Sequence, residues 1–403
     1  MGLTRFYPAP SDRMAIIWSL MPISDAVVLE YGPAGTTHFG GGFYSSLGLK
    51  LGKTLFTTHI SEDDIVMGDV SRLENAISEV DKNYHPKIIF VVASAVIAVI
   101  GTDIAGVCNY MQERVNARLI SFEEGGFRGD YTFGLRSVYR MLAREIIKPQ
   151  QKEENACCIL GASAGSYRIR SDVWEIKNLL REAFNIECRY TMGLDCTVED
   201  IEKAGAAALN LVIREEAEEA AQIIEEKCGT PYIKGAPYGY KGTLEWLESI
   251  STVINRQINP TLVKRLREKQ MSLMPMGGPM MMGFAGMPKK NAVLQGDYDT
   301  LLGFRTALSE LGFNVTKMVC SHSLKAAKNP DPQVEYIESE KERIDLFKSL
   351  SDSAFFGSEE LQRCVKSPFT LISAPFVSYE QYASHLPFMG EKGMDMLREL
   401  TQE

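Results

Sequence analysis

The chain has 403 residues, 45% hydrophobic and 24% charged, the composition of a globular protein large enough to bury more than one core. A formal charge of −9 and a pI near 5.3 argue against nucleic acid or an anionic membrane surface as the main partner, because phosphate binding needs concentrated Lys and Arg. The first residues mix Arg5, Asp12 and Arg13 with apolar ones and lack the apolar core of a signal peptide, so a cytoplasmic protein is expected.

In chain order, β-rich apolar runs alternate with amphipathic stretches, the pattern of parallel sheets flanked by helices. The expected fold class is α/β, with three Rossmann-like domains over 1–150, 151–270 and 291–403 and a connection over 271–290. In the first domain, residues 87–100 (KIIFVVASAVIAVI) read as one fully buried strand, too short for the roughly 20 residues of a spanning helix. Thr102 or Asp103 then caps the next helix. The second domain offers strands over 156–161, 186–192 and 207–213 and a helix over 172–184. The acidic run EEAEEAAQIIEEK within 214–228 reads as a solvated helix face, with Gly229 as its C-terminal cap.

Residues 271–290 contain seven methionines, four glycines and three prolines, which rules out a regular helix or strand throughout. This segment reads as a flexible connection, with a thioether surface for a soft metal or a partner as the alternative. The third domain restarts with a strand over 291–295, a helix over 299–311 and a strand over 314–320.

Few motifs of catalysis are present. Gly161-Ala162-Ser163-Ala164-Gly165 only partly imitates a dinucleotide-binding turn, and neither a P-loop nor a GxSxG elbow occurs. The eight cysteines form no CxxC pair and read as reduced and mostly buried. The nearest approach to a zinc pattern is His322, two residues after Cys320.

Several segments, in order, resemble the α-type chains of the nitrogenase component 1 family, which includes the dark-operative protochlorophyllide reductase. Tyr31-Gly32-Pro33-Ala34-Gly35 is similar to the family's HGPxG turn, and TTHISEDDIVMG (57–68) to the stretch ending EKDIVFG. IGTDI (100–104) is similar to IGDDI, and EGGFRG (124–129) to CEGFRG. ALNLV (208–212) is similar to the strand before the cofactor cysteine, and LPFMGEKG (386–393) to the closing PYxGYxG.

The resemblance implies three Rossmann-like domains around a central cavity, an α2β2-type assembly with a paralogous subunit, and electrons from a separate ATP-hydrolysing iron–sulfur protein. It also locates what is missing. The bridging-cluster cysteine after HGPxG matches Thr36, with His38 displaced by two places; the cysteine before IGDDI matches Ala95, beside Ser94. The earliest falls near Pro8 to Pro10, and the cofactor cysteine matches Arg214. Threonine and alanine cannot replace thiolates as iron ligands. No metal ligand is therefore assigned to this chain, and an iron–sulfur cluster is expected only at an interface where a partner supplies the ligands. Ile16, Thr132, Arg136 and Arg214 fall where the family's cavity wall lies. Two arginines there suit an anionic small molecule, unless they pair with the chain's own carboxylates. The leading expectation is a subunit of a nitrogenase-like reductase that completes a cofactor or substrate pocket. A scaffold for a preassembled metallocofactor and a redox-inactive small-molecule-binding protein are the alternatives.

Overall fold

The computed structural model describes residues 9–49, 54–273, 290–350, 352–373 and 386–402. The methionine-rich connection falls almost wholly outside these residues, as does Pro8. Thirteen strands are seen among the described residues: β1 (Ala26–Tyr31), β2 (Leu55–Thr57), β3 (Ile88–Ala93), β4 (Arg118–Phe122), β5 (Glu153–Leu160), β6 (Glu187–Thr191), β7 (Ala207–Val212), β8 (Tyr232–Lys234), β9 (Asn291–Gly296), β10 (Asn314–Cys320), β11 (Val334–Tyr336), β12 (Ala354–Gly357) and β13 (Phe369–Leu371). They form three sheets, ordered β2-β1-β3-β4, β6-β5-β7-β8 and β11-β10-β9-β12-β13. Every pairing is parallel. The fold is thus α/β, with sheets flanked by helices. β1 and β3 are buried along their whole length, as strands covered on both faces must be.

Residues 87–100 are two elements rather than the single strand expected. The ladder with β1 ends at Ala93; the Ser94 N–H donates to Tyr31 O at 3.0 Å, and Ser94 Oγ accepts the Ile97 N–H at 3.4 Å. A short helix, Ala95–Ile100, follows, and Gly101 closes it with φ of 76°. The turn puts Val99 and Ile100 in solvent, 73% and 45% exposed. An apolar run of this length has no period that separates strand from short helix, and the N-cap serine decides. Asp103 caps the next helix, Ile104–Gln112, by accepting the Gly106 N–H at 2.7 Å.

One hydrophobic cluster runs through all three sheets, from Ala15 to Leu397. The helix Asp12–Leu20 is its pillar, buried along most of its length. It lies so close to the helix Tyr131–Met141 that a Cβ on Gly134 would stand 2.0 Å from Asp12 O. The closing helix, Gly390–Gln402, returns to the second sheet's helix Ile169–Phe184. Asp172 there accepts the N–H groups of Phe388 and Met389 at 2.6 and 3.0 Å, and Arg265 joins Glu182 to Glu391. Among the described residues, no helix is long and apolar enough to cross a membrane.

Candidate functional site

The C-terminal edge of the first sheet gathers the turns that resemble the cluster-binding ones. Gly32 follows β1 and presses on Ser94 after β3: a Cβ there would lie 2.4 Å from Ser94 Cβ and Oγ. Gly125 completes the junction, with room for no Cβ against Ala98 Cβ (2.1 Å) or Ser94 O (3.1 Å). Gly126, at φ of 99°, faces Ser11, the residue after Pro10 and the cap of the pillar helix. The turns at Gly32 and Ser94 therefore meet directly, and Ser11 approaches them through the Gly125–Gly126 turn. Their side chains are spent on local structure. Thr36 Oγ1 donates to Pro33 O at 2.8 Å in the first turn of helix Ala34–Ser46, and His38 on that helix is exposed. Thr37 Oγ1 donates to Glu30 at 2.6 Å, and this fully buried carboxylate also pairs with Arg13.

The other expected residues stand at the centre, where the three sheets face one another. Ile16 is fully buried in the pillar helix, and Thr132 Oγ1 donates to Asp130 at 2.6 Å. Arg214 follows β7, 6% exposed; one of its terminal nitrogens lies 3.1 Å from Asp297, and its Nε lies 3.5 Å from Glu216. Arg136 pairs with Glu215. Both arginines are thus held by the chain's own carboxylates.

The sequence allows such pairing without showing which carboxylates supply it. Asp297 and Asp299 follow β9, and Glu215 and Glu216 follow Arg214. The acidic run is accordingly not a solvated face at its start: Glu215 and Glu216 are 4% and 3% exposed. Glu215 Oε1 accepts the Lys328 N–H at 3.3 Å, and the Glu215 N–H donates to Asp299 Oδ2 at 2.9 Å. Such burial requires partners, and they come from segments some 80 residues and more away in sequence. Burial alone would raise Asp297, but Arg214 above all, with the Tyr131 hydroxyl, holds its carboxyl below the usual range. At Asp299 the same arginine does not prevail. Burial, with Glu216 beside it, pushes its carboxyl up to about 7.

Aromatic rings close the remaining space. Tyr131 donates to Asp297, meets the His322 ring edge-on at 5.4 Å, and stands 6.1 Å from Trp18. His322 Nε2 accepts the Tyr298 N–H at 3.2 Å, a bond that needs this nitrogen unprotonated, whereas Cys320, Glu216 and Asp297 favour the imidazolium against the effect of burial. Trp18 Nε1 donates to Ser163 Oγ at 2.9 Å, and its ring leaves no room for a Cβ on Gly165. The small-residue turn at 161–165 is therefore filled by an indole. A cavity of only about 20 Å³ is left among Trp18, Tyr131, Ser163 and Asp297.

The sequence profile of the nitrogenase component 1 type oxidoreductases matches residues 12–402. The chain belongs to that family. A nitrogenase iron–molybdenum cofactor biosynthesis protein NifE from Nostoc sp. (strain PCC 7120) is 28% identical over 95% of this chain and 80% of its own length. NifE of Clostridium pasteurianum is 29% identical over 59% of this chain and 52% of its own length. The molybdenum–iron protein alpha chain of the same organism is 30% identical over 61% and 47%. The chain thus spans about half the length of several of these relatives. In structure it is similar to nitrogenase Cp1 at pH 6.5, with a TM-score of 0.79 over 100% of this chain and 93% of that one, at 17% identity.

Proteins of the nitrogenase component 1 family bind iron–sulfur-type metalloclusters, and the donors at the described junction do not fit one. Such clusters are held by thiolates, and the junction offers Thr36, Ser94 and Ala95 instead. Cys157, Cys158 and Cys188 are buried in β5 and β6, Cys320 ends β10, and Cys108 lies in a helix. Burial pushes the Cys108 and Cys196 thiols up to about 12, so they stay protonated. Among the described residues, no three His, Cys, Asp or Glu side chains are grouped to hold a metal ion.

Proposed function

We propose that this chain is a cluster-free subunit of a nitrogenase-like reductase, located in the cytoplasm. It pairs with a paralogous component 1-type chain in an α2β2-type assembly and completes a pocket whose thiolates the paralogue supplies. A separate ATP-hydrolysing iron–sulfur protein delivers the electrons. One observation carries this reading: the turns that meet at the edge of the first sheet keep their close packing around Gly32, Ser94 and Gly125, while no thiolate stands among them. A framework kept without its ligands suits a face that another chain completes.

The test is co-expression with a component 1-type chain that carries cysteines at the positions matching Thr36 and Ala95, followed by anaerobic purification. This chain alone is expected to carry neither iron nor acid-labile sulfide, and the complex to carry both. A complex without iron, or a cluster on this chain alone, overturns the proposal.

A second reading, a scaffold for a preassembled metallocofactor, is favoured by the similarity to NifE proteins. It faces a steric demand, since ligand sites usually span about 300 Å³ or more and the cavity between Trp18 and Asp297, among the described residues, is about 20 Å³. The Arg214–Asp297 and Arg136–Glu215 pairs would have to part, which is also what an anionic small molecule at Arg136 and Arg214 would require. Cofactor binding without ATP-dependent turnover on addition of the iron protein would select the scaffold. An iron-free homodimer retaining an organic anion would select a small-molecule-binding protein.

A further inference from the structure

A second cavity, of about 360 Å³, opens where Lys234 to Tyr238 and the helix Gly239–Ile254 face the helix Tyr298–Glu310. It lies past the C-terminal ends of β7 and β8, where open parallel sheets hold their ligands, and its volume is in the range of small-molecule sites. Its walls are the rings of Trp246 and Tyr238 with Leu302 and Ile213, and Asp299 supplies a carboxyl group. Gly242 leaves space rather than close packing: a Cβ there would meet only Thr306 Cγ2, at 3.4 Å.

The polarity of the lining leans toward acceptors, with Lys234 as its one cation among the described lining residues. Trp246 Nε1 donates to Gly235 O at 3.1 Å, and the Lys234 ammonium is held by Glu218 at 2.7 Å. The hydroxyl protons of Thr306 and Ser249 go to the Leu302 and Glu245 carbonyls at 3.2 and 3.0 Å. The indole and hydroxyl donors are thus committed and the Lys234 charge is offset by Glu218, while the hydroxyl lone pairs, Asp299 and Glu245, the last 3.6 Å from Lys241, remain as acceptors. A wall of acceptors and aromatic faces matches a ligand that brings hydrogen-bond donors, positive charge and a flat apolar body.

We propose that this cleft binds a small organic cation, an ammonium or amidinium on a planar apolar group, with Asp299 as its charge partner and Trp246 and Tyr238 as its walls. The inference is independent of the assembly proposed above. Occupancy would place a cation on a carboxyl that already accepts the Glu215 N–H, and so link the cleft to the arginine network at the centre.

The probe is benzamidine, with benzamide as its neutral isostere, titrated calorimetrically into the full chain at pH 8, where Asp299 is ionised. Saturable binding is expected for benzamidine, about tenfold or more tighter than for benzamide, the size of a charge-assisted hydrogen bond. Asp299→Asn should bring the two ligands to within about twofold of each other. Gly242→Leu fills the cleft without straining its helix and should abolish binding of both. Equal affinities in the unmodified chain, absence of saturable binding, or a preference that survives Asp299→Asn overturns the proposal. Should Asp299→Asn fail to fold, undiminished binding to Gly242→Leu does the same.

Discussion

The edge of the first sheet and the centre of the molecule lack thiolates in different ways. At the edge, Thr36 and Ala95 are neutral, Ser94 caps a helix, and the turns are packed closely at Gly32 and Gly125 against Ser94 and Ala98. At the centre, Arg214 brings a buried charge that is met by the buried Glu216 and the half-buried Asp297. A ligand position on a turn is exchanged for a neutral residue at little cost. In a sealed core, the same exchange for a charged residue draws in a whole network.

The contrast can be broken most severely at Arg214. Arg214→Met strands Asp297 among buried groups and is expected to cost about 3–5 kcal/mol in denaturant unfolding; a loss below about 1 kcal/mol would make the centre no more electrostatic than the edge. The pH dependence comes next. Burial raises Asp172, like Asp299, to about 7. A carboxyl whose folded value lies above its unfolded one favours folding at low pH, and that contribution is lost as pH rises from about 4 through 7. Asp172→Asn, which cannot ionise, should therefore gain in thermal midpoint relative to the unmodified chain between pH 5 and pH 8; a constant difference refutes it.

Gly125→Ala sharpens the edge, because the added methyl has nowhere to go between Ala98 and Ser94; a loss of about 1–3 kcal/mol is expected. Ser94→Ala removes only the cap, about 1 kcal/mol by the same denaturation measurement. The smallest effect belongs to Thr36→Val, which gives up one partly exposed hydroxyl bond to Pro33 and should stay within about 0.5 kcal/mol.

The fold was legible because β1, β3, β5, β7 and β9 are apolar runs between amphipathic stretches, and the edge was legible because its turns carry glycines at fixed places. The break at Ser94 was hidden by identical apolar composition on both sides. Glu215 and Glu216 looked like surface residues because local pattern cannot show that Arg136 and the Lys328 backbone reach them from across the chain. Asp297 and Asp299 did leave a signal, two acids directly after a buried strand, where the C-terminal edge of a parallel sheet places its functional groups.

The Asp172 clasp on Phe388 and Met389 also bears on how the chain is made. The helix beginning at Ile169 holds a carboxylate whose partners lie 216 and 217 residues downstream. During synthesis this helix on the second sheet lacks its outer partner until nearly all of the chain here described has emerged, and so depends on a contact of long sequence separation. A nascent chain halted before residue 388 should therefore remain open to proteolysis around Asp172, however well its own strands have paired.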